Sequence, residues 1–537
     1  MRKFISVSLL LTMFLSVWAV PAKRVPYLMS QSDGSTLQLF QWGDESYSLM
    51  VDAAGIQYVQ DESGAWLPAS VQLSPAQVNA ERNNNMQSHR HPSMSTAINL
   101  APRGLVIMIN FSDKQFKTDQ AEIDSMLNGR NYTRDYSYRY NGEELHIQSS
   151  GSARQFFSDQ SNGQYVPQFD VVGPYTISQP MAYYGDNSAQ YGKDWRAEEM
   201  IVEACSLADE DVDFSLYDND HDGLVDFVYV LYAGYGEAES AIANTVWPHS
   251  YNLSLSYYLK HDTLRLDGKV IDAYVCSNEI SYASRQHDGI GTFCHEFSHL
   301  LGLPDYYDTE YAENFHTYFN TPKNWHVMDH GAYNNDGNTP PSYSAFDRYF
   351  FGWLTPRVPQ SDSMLLTTAY EDVFQLNAQG AVAPATSAQQ QYYIENRQLQ
   401  GWDAFLPGHG MMIWQVTFDA KLWEQNIPNN YPENPLFTYI PADGSYINTT
   451  SLYSGGEGDD GDPFPGSSSQ SVWEAPEGFT LQDIAETDGV ISLHFLPAAT
   501  ANEEQIADSK PVLFLSEGKV LVRWGDFVYD ILGQRIY

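Results

Sequence analysis

Two histidines four residues apart, His295 and His299, flank a glutamate, Glu296, in the stretch HEFSHLLGLPD. One helical turn brings both imidazoles to the same edge, where two nitrogens can share one metal ion. Glu296 lies about 100° round the helix from His295, so its carboxylate reaches a water on that ion without occupying the metal. The chemistry of such a set is hydrolysis. The ion acidifies the water and polarises a carbonyl, and the carboxylate takes the proton and later delivers it to a leaving amine. Gly302 permits a sharp turn with positive φ that swings the chain back and offers Asp305 as third ligand, with Asp308 as its rival. Downstream, NWHVMDHG places Met328 in a compact turn. In proteases of the HExxHxxGxx(H/D) type such a methionine turn forms a floor under the metal histidines. His326 and His330 flank it without metal-ligand spacing and read as loop or substrate-pocket residues.

The elements that must position these residues are legible from periodicity. Asp288 is expected to cap a helix through GIGTFCHEFSHLL that stops at Gly302, with Pro304 just beyond. Ile290, Phe293, Phe297 and Leu300 make its core-facing stripe. Around it, residues 98–356 mix helices and strands: GLVIMINFSD and LVDFVYVLYAGYG read as buried strands and WRAEEMIVEACSLA as a helix. Residues 23–97 show short alternating strands with turns at Gly43, Gly55 and Gly64, then the polar stretch NAERNNNMQSHRHPSMSTA, an exposed and cleavable linker. Residues 357–498 carry β signals with long polar loops and are predicted to form a β-sandwich. The expected fold is a multidomain α+β chain: a small β-rich pro-region, a zinc protease domain and the sandwich. A tail, residues 499–537, follows.

Composition bounds the function. With 28 Lys+Arg against 68 Asp+Glu the formal net charge is -40, which repels nucleic acid and anionic membranes. Residues 1–22 read as a secretory signal peptide: Arg2 and Lys3, an apolar run from Phe4 to Trp18, then small residues at Ala19 and Ala22. That run is shorter than the roughly 20 residues a membrane span requires, and no later segment is long and apolar enough to span. A secreted, extracellular or cell-surface monomer is expected. Three cysteines, Cys205, Cys276 and Cys294, are too few for a disulfide scaffold, and a Cys276–Cys294 bridge is left open.

DNDHDGLVD offers Asp218, Asp220 and Asp222 at alternating positions, Gly223 at the turn and Asp226 at the ninth position of an EF-hand-like count. The twelfth position is Tyr229 in place of a bidentate glutamate. A structural Ca²⁺ is predicted, an acidic solvated turn being the alternative reading. Asp459, Asp460 and Asp462 form a second acidic loop, read as flexible.

With these residues in place, the chain resembles the M6 family of metallopeptidases, the immune inhibitor A type. GLVIMINFSD, YDNDHDGLVDFVYVLYAGYGEAES, VWPHS, GIGTFCHEFSHLLGLPDYYD, NWHVMDHGAY, PPSYSAFDRYFFGWL and YYIENRQLQGWDAFLPGHGMMIWQV carry the resemblance, from Gly104 to Val416. It implies a secreted zymogen with a metzincin-like catalytic domain and a β-rich domain behind it, zinc for catalysis and calcium for structure. It makes His295, His299 and Asp305 the zinc ligands and Glu296 the general base. Many related metzincins have a third histidine where Asp305 stands. No cysteine precedes Cys205, so latency through a pro-region thiolate is excluded, and a carboxylate of the GDES turn, Asp44 or Glu45, is expected to reach the metal or cap the cleft. The end of the chain, KVLVRWGDFVYDILGQRIY, is similar to short tails that direct cargo to the type IX secretion route; two strands completing a small β unit are the other reading.

The functional expectation is a zinc metalloendopeptidase acting on extracellular protein or peptide substrates. The alternative is a surface adhesin or binding protein whose β domain engages protein or glycan around Tyr393 and Trp402. A zinc hydrolase of non-peptide bonds is a third possibility.

Overall fold

The computed structural model describes residues 20–78, 101–309, 320–445, 458–498 and 512–530, apart from short stretches within them that include residues 45–46. The expected leader up to residue 19, Glu45, the linker at 79–100 and most of the tail therefore lie outside the described residues.

A five-stranded sheet organises the middle of the chain, in the order His249–Asn252, Ala273–Asn278, Val228–Tyr232, Arg103–Asn110, Gln168–Thr176. Four strands run parallel and His249–Asn252 pairs antiparallel at one edge. Its central strands are apolar on both faces because both are covered. Leu105, Ile107 and Ile109 enter one core with the helix Ala197–Ala208, whereas Val106 and Met108 enter another with the helix Gly291–Leu300. Residue-by-residue alternation along a strand thus divides one hydrophobic run between two layers.

The helix Gly291–Leu300 lies on the second layer through Phe293 and Phe297. Phe297 is fully buried, with ring centroids 4.7 Å from Phe227, 4.9 Å from Phe157 and 5.4 Å from Phe169. Truncating such a side chain costs about 3–5 kcal/mol, so this contact fixes the helix that bears the two histidines. Its start departs from expectation: Ile290 is the cap residue, and no side chain caps the helix. The Gly291 N–H donates to the Gly337 carbonyl at 2.7 Å. A Cβ at Gly291 would stand 1.8 Å from the Ala332 oxygen, so a glycine is required where the helix meets that loop. Asp288, the expected cap, instead accepts from the Gly289 N–H and faces a carboxylate cluster described below. The helix ends as predicted, with Gly302 at φ 100° and the Gly302 N–H donating to the His299 carbonyl.

Ahead of this unit, Tyr27–Ser30, Thr36–Gly43, Ser48–Val51, Gln57–Gln60 and Trp66–Pro68 form a five-stranded antiparallel meander. It packs on the middle of the chain through Phe40, Trp42 and Val51 against Tyr307. Behind it stand two four-stranded antiparallel sheets. In the strand Gln391–Arg397, Tyr392 and Ile394 face the other C-terminal sheet, while Tyr393 turns to the core of the helix Gly291–Leu300. Met411 and Ile413 divide from Met412 and Trp414 in the same way. The first C-terminal sheet is therefore cemented to the middle unit on one face and to its companion sheet on the other. Tyr393 and Trp402, the aromatic residues of the binding-module alternative, are buried in this shared core and present no ring to a partner. Three short strands, Val512–Ser516, Lys519–Trp524 and Phe527–Asp530, pair antiparallel near the end of the chain.

The three cysteines are free and buried. Cys276 and Cys294 belong to cores on opposite faces of the central sheet, which rules out the bridge left open from the sequence. Among the described residues no helix is long and apolar enough to cross a membrane.

Candidate active site

His295, His299 and Asp305 converge, each offering a ligand atom within 4.8 Å of the others. All three are buried. The backbone fixes how the imidazoles face. His295 Nδ1 lies 2.8 Å from the Val327 carbonyl and His299 Nδ1 lies 2.8 Å from the Leu303 carbonyl. A carbonyl can only accept, so both Nδ1 atoms carry a proton, and in the neutral ring each Nε2 presents a lone pair to the site. His295 Nε2 then stands 3.0 Å from Asp305 Oδ1, and His299 Nε2 stands 3.5 Å from it. Three acceptors facing one another in a buried space repel unless a cation sits among them. Two imidazoles and a carboxylate, each oriented by a second hydrogen bond, are the donor set that suits zinc. The residues present fit the ion.

The loop after the helix is held from outside it. The Asp305 N–H donates to Asn426 Oδ1 at 2.6 Å, and Asn426 Nδ2 donates to Asp305 Oδ2 at 2.5 Å. Asn429 Nδ2 donates to the Tyr306 carbonyl, and the Thr309 N–H donates to Asn430 Oδ1. These asparagines escaped the sequence reading; the signal was the polar, turn-forming run NIPNN between β segments, which spacing alone does not connect to Asp305. Asp308, the rival for the third place, is absent from the converging group.

Met328 is fully buried at the centre of its turn. The turn serves both sides of the site, since Val327 accepts from His295 and the Met328 carbonyl accepts from the Tyr306 N–H at 2.9 Å. Its flanking histidines each lie against a carboxylate. His326 Nε2 lies 2.6 Å from Asp347 Oδ2 in full burial, and His330 Nδ1 lies 2.5 Å from Asp329 Oδ1. Burial alone would raise Asp329, but the His330 ion pair and backbone donors bring it down to about 2.

Glu296 is buried beside the histidines, and its Oε2 lacks a hydrogen-bond partner. Burial, with the charge of Asp305 added, pushes its carboxyl well above the ordinary value. Its Oε1 accepts from the backbone N–H of Val20 at 2.9 Å. Val20 belongs to a short stretch laid across the site. Trp247 Nε1 donates to the Val20 carbonyl at 3.0 Å and the Tyr333 hydroxyl to the Pro21 carbonyl at 2.7 Å. The Ala22 N–H donates to Gly43 and the Lys23 N–H to Ala238. The turn that follows Gly43 comes close too: Asp44 is fully buried, and its charge is felt at Asp305.

Asp218, Asp220 and Asp222 also converge. Asp218 Oδ1 is buried without a hydrogen-bond partner, while its Oδ2 accepts from Lys269 Nζ at 2.5 Å. Asp226, the fourth residue of the predicted loop, is not in that group, and its Oδ2 accepts from both the backbone and the side chain of Asn219. In the second acidic loop Asp462 is no flexible residue, since its Oδ2 accepts from Trp325 Nε1 and the Tyr439 hydroxyl.

A family model described as the immune inhibitor A peptidase M6 catalytic domain matches residues 98–354. Pre-pro-metalloprotease PrtV from Vibrio cholerae serotype O1 is similar, 28% identical over 221 residues that make up 37% of this chain and 23% of the relative. Immune inhibitor A from Bacillus thuringiensis subsp. alesti is 25% identical over 275 residues, 46% of this chain and 39% of that protein. The chain spans less than half the length of these curated relatives. The match covers the central sheet, the helix with both histidines, Asp305 and the Met328 turn, and on that ground residues 98–354 belong to the catalytic domains of the immune inhibitor A type M6 peptidases, a zinc metalloprotease family.

Proposed function

We propose that this protein is a secreted zinc endopeptidase made as a zymogen, with His295, His299 and Asp305 as the metal ligands and Glu296 as the general base. The observation that carries the reading is the convergence of two inward-facing Nε2 atoms and Asp305 Oδ1 beside the buried Glu296. Bound zinc supplies Lewis acidity toward a peptide carbonyl and a water molecule. Glu296 takes the proton from that water and passes it to the leaving nitrogen. The turn at Met328 and Asn426 keep the ligands in register. Replacing Glu296 with Gln while zinc stays bound should reduce casein cleavage about 10²–10⁴-fold; undiminished cleavage by the zinc-loaded variant overturns the assignment.

The remaining organisation follows from the same reading. A leader is followed by a pro-region that runs to residue 97, and Asp44 caps the metal site in the latent form. The middle unit is a metzincin-like domain. The two sheets behind it form a β-sandwich, supported by the apolar residues that both contribute to one core. Asp218, Asp220 and Asp222 hold a structural Ca²⁺, which the unpartnered Asp218 Oδ1 supports. The substrates are extracellular proteins, and the tail is a sorting signal.

A further inference from the structure

Lys23 ends the seated stretch in a pocket of carboxylates. Its Nζ donates to Asp336 Oδ1 at 3.0 Å and to Glu239 Oε2 at 3.2 Å, and it stands 5.4 Å from the centroid of the Tyr333 ring. The side chains of Glu239 and Asp336 are 5% and 2% exposed, so both are removed from water. Asp288 lies behind them, its carboxyl pushed well above the ordinary value by burial and by Glu239 and Asp336. The pocket is built rather than incidental: Glu239 Oε1 accepts from the Tyr282 N–H, and Asp336 accepts from the Tyr136 hydroxyl and the Ser281 hydroxyl. Among the described residues Lys23 is the cation that pairs with these carboxylates. A pro-region that departs takes that cation with it, and the buried carboxylates are left to repel one another unless another cation enters.

The register of the stretch says which cation. A general base that returns its proton to the leaving amine must lie within hydrogen-bond reach of the first nitrogen after the cut. Val20 N occupies that place on Glu296 Oε1. Val20, Pro21, Ala22 and Lys23 then stand as the first to fourth residues after a cleaved bond, with the Val20 and Pro21 carbonyls held by Trp247 and Tyr333.

We propose that Glu239 and Asp336, with Asp288 behind them, form the subsite that selects a Lys or Arg at the fourth residue after the cleaved bond, and that Lys23 fills it in the latent protein as a built-in product mimic. The proposal rests on the peptidase reading above. It extends that reading to a substrate class: polypeptides with a basic residue on the C-terminal side of the cut.

The test uses the full chain nicked in the 79–100 linker and freed of its N-terminal sheet. Binding of Val-Pro-Ala-Lys amide, Val-Pro-Ala-Gln amide and Val-Pro-Ala-Glu amide is measured by calorimetry, independently of turnover. The lysine peptide should bind at least about tenfold tighter than the glutamine peptide, or about 1.4 kcal/mol, with the glutamate peptide weakest. Asp336→Asn should bring the first two within about threefold of each other. Should that variant not fold, the three peptides on the wild-type chain decide the matter alone. Equal binding of all three overturns the pocket. Casein cleavage by the same nicked chain separates the two readings: a chain that cuts casein yet binds the peptides alike keeps the peptidase assignment and loses the subsite, whereas one that cuts nothing loses both.

Discussion

Asn426 grips Asp305 at two points, accepting from its backbone N–H at 2.6 Å and donating to its Oδ2 at 2.5 Å, and so leaves Oδ1 facing the imidazoles. Asn426 lies beyond residue 354, outside the segment that matches the peptidase family. The loop that bears Asp305 is therefore held by the sheet region that follows the matched segment, and the two share one hydrophobic core.

Asn426→Ala should weaken zinc binding by about 10–100-fold, the usual cost of losing a group that orients a ligand. Competition with a chromophoric chelator reads this directly. Unchanged affinity would mean that the Gly302 bend alone positions Asp305.

Latency should depend on Asp44. Asp44→Ala in the full chain is expected to give premature casein cleavage at the stage where the wild type is silent, because it removes a buried carboxylate whose charge reaches Asp305. A variant as latent as the wild type would leave the seated Val20–Lys23 stretch as the sole block.

Much of this was legible from spacing. The pair His295 and His299, the core stripe of their helix and the stop at Gly302 follow from helical periodicity and from the φ a glycine permits, and all are local. Asp288 was read as a cap for the same local reason, but it lies in the pocket around Lys23, and that long-range electrostatic relation leaves no mark on spacing. Asn426 and Val20 were missed on similar grounds: their partners are 121 and 276 residues away. Tyr393 reads as exposed from the sequence because a strand buried on both faces resembles one buried on a single face until its neighbours are known.

The Met328 turn should lose its anchor in acid. Asp329 stands at about 2 against an ordinary 3.8. A carboxyl lowered by folding contributes its stability above the unfolded value and loses it as pH falls from about 4 through about 2. While His330 stays protonated, that contribution is about 2 kcal/mol. The difference in melting temperature between wild type and Asp329→Asn should therefore narrow from pH 6 to pH 3. A difference that stays constant over this range contradicts the account.

Calcium removal by EGTA in zinc-buffered solution should lower the melting temperature of the wild type, and Asp218→Asn should abolish that shift. If Lys269, which already pairs with Asp218, is the only cation the loop needs, the wild type will melt at the same temperature with and without calcium.

The most direct test of the central claim is the zinc content of the purified full chain by plasma mass spectrometry. Wild type and Glu296→Gln should each hold about one zinc per chain, and His299→Ala almost none. A wild-type chain that takes up no zinc under any loading condition, or a His299→Ala variant that keeps its full equivalent, would contradict the site formed by His295, His299 and Asp305.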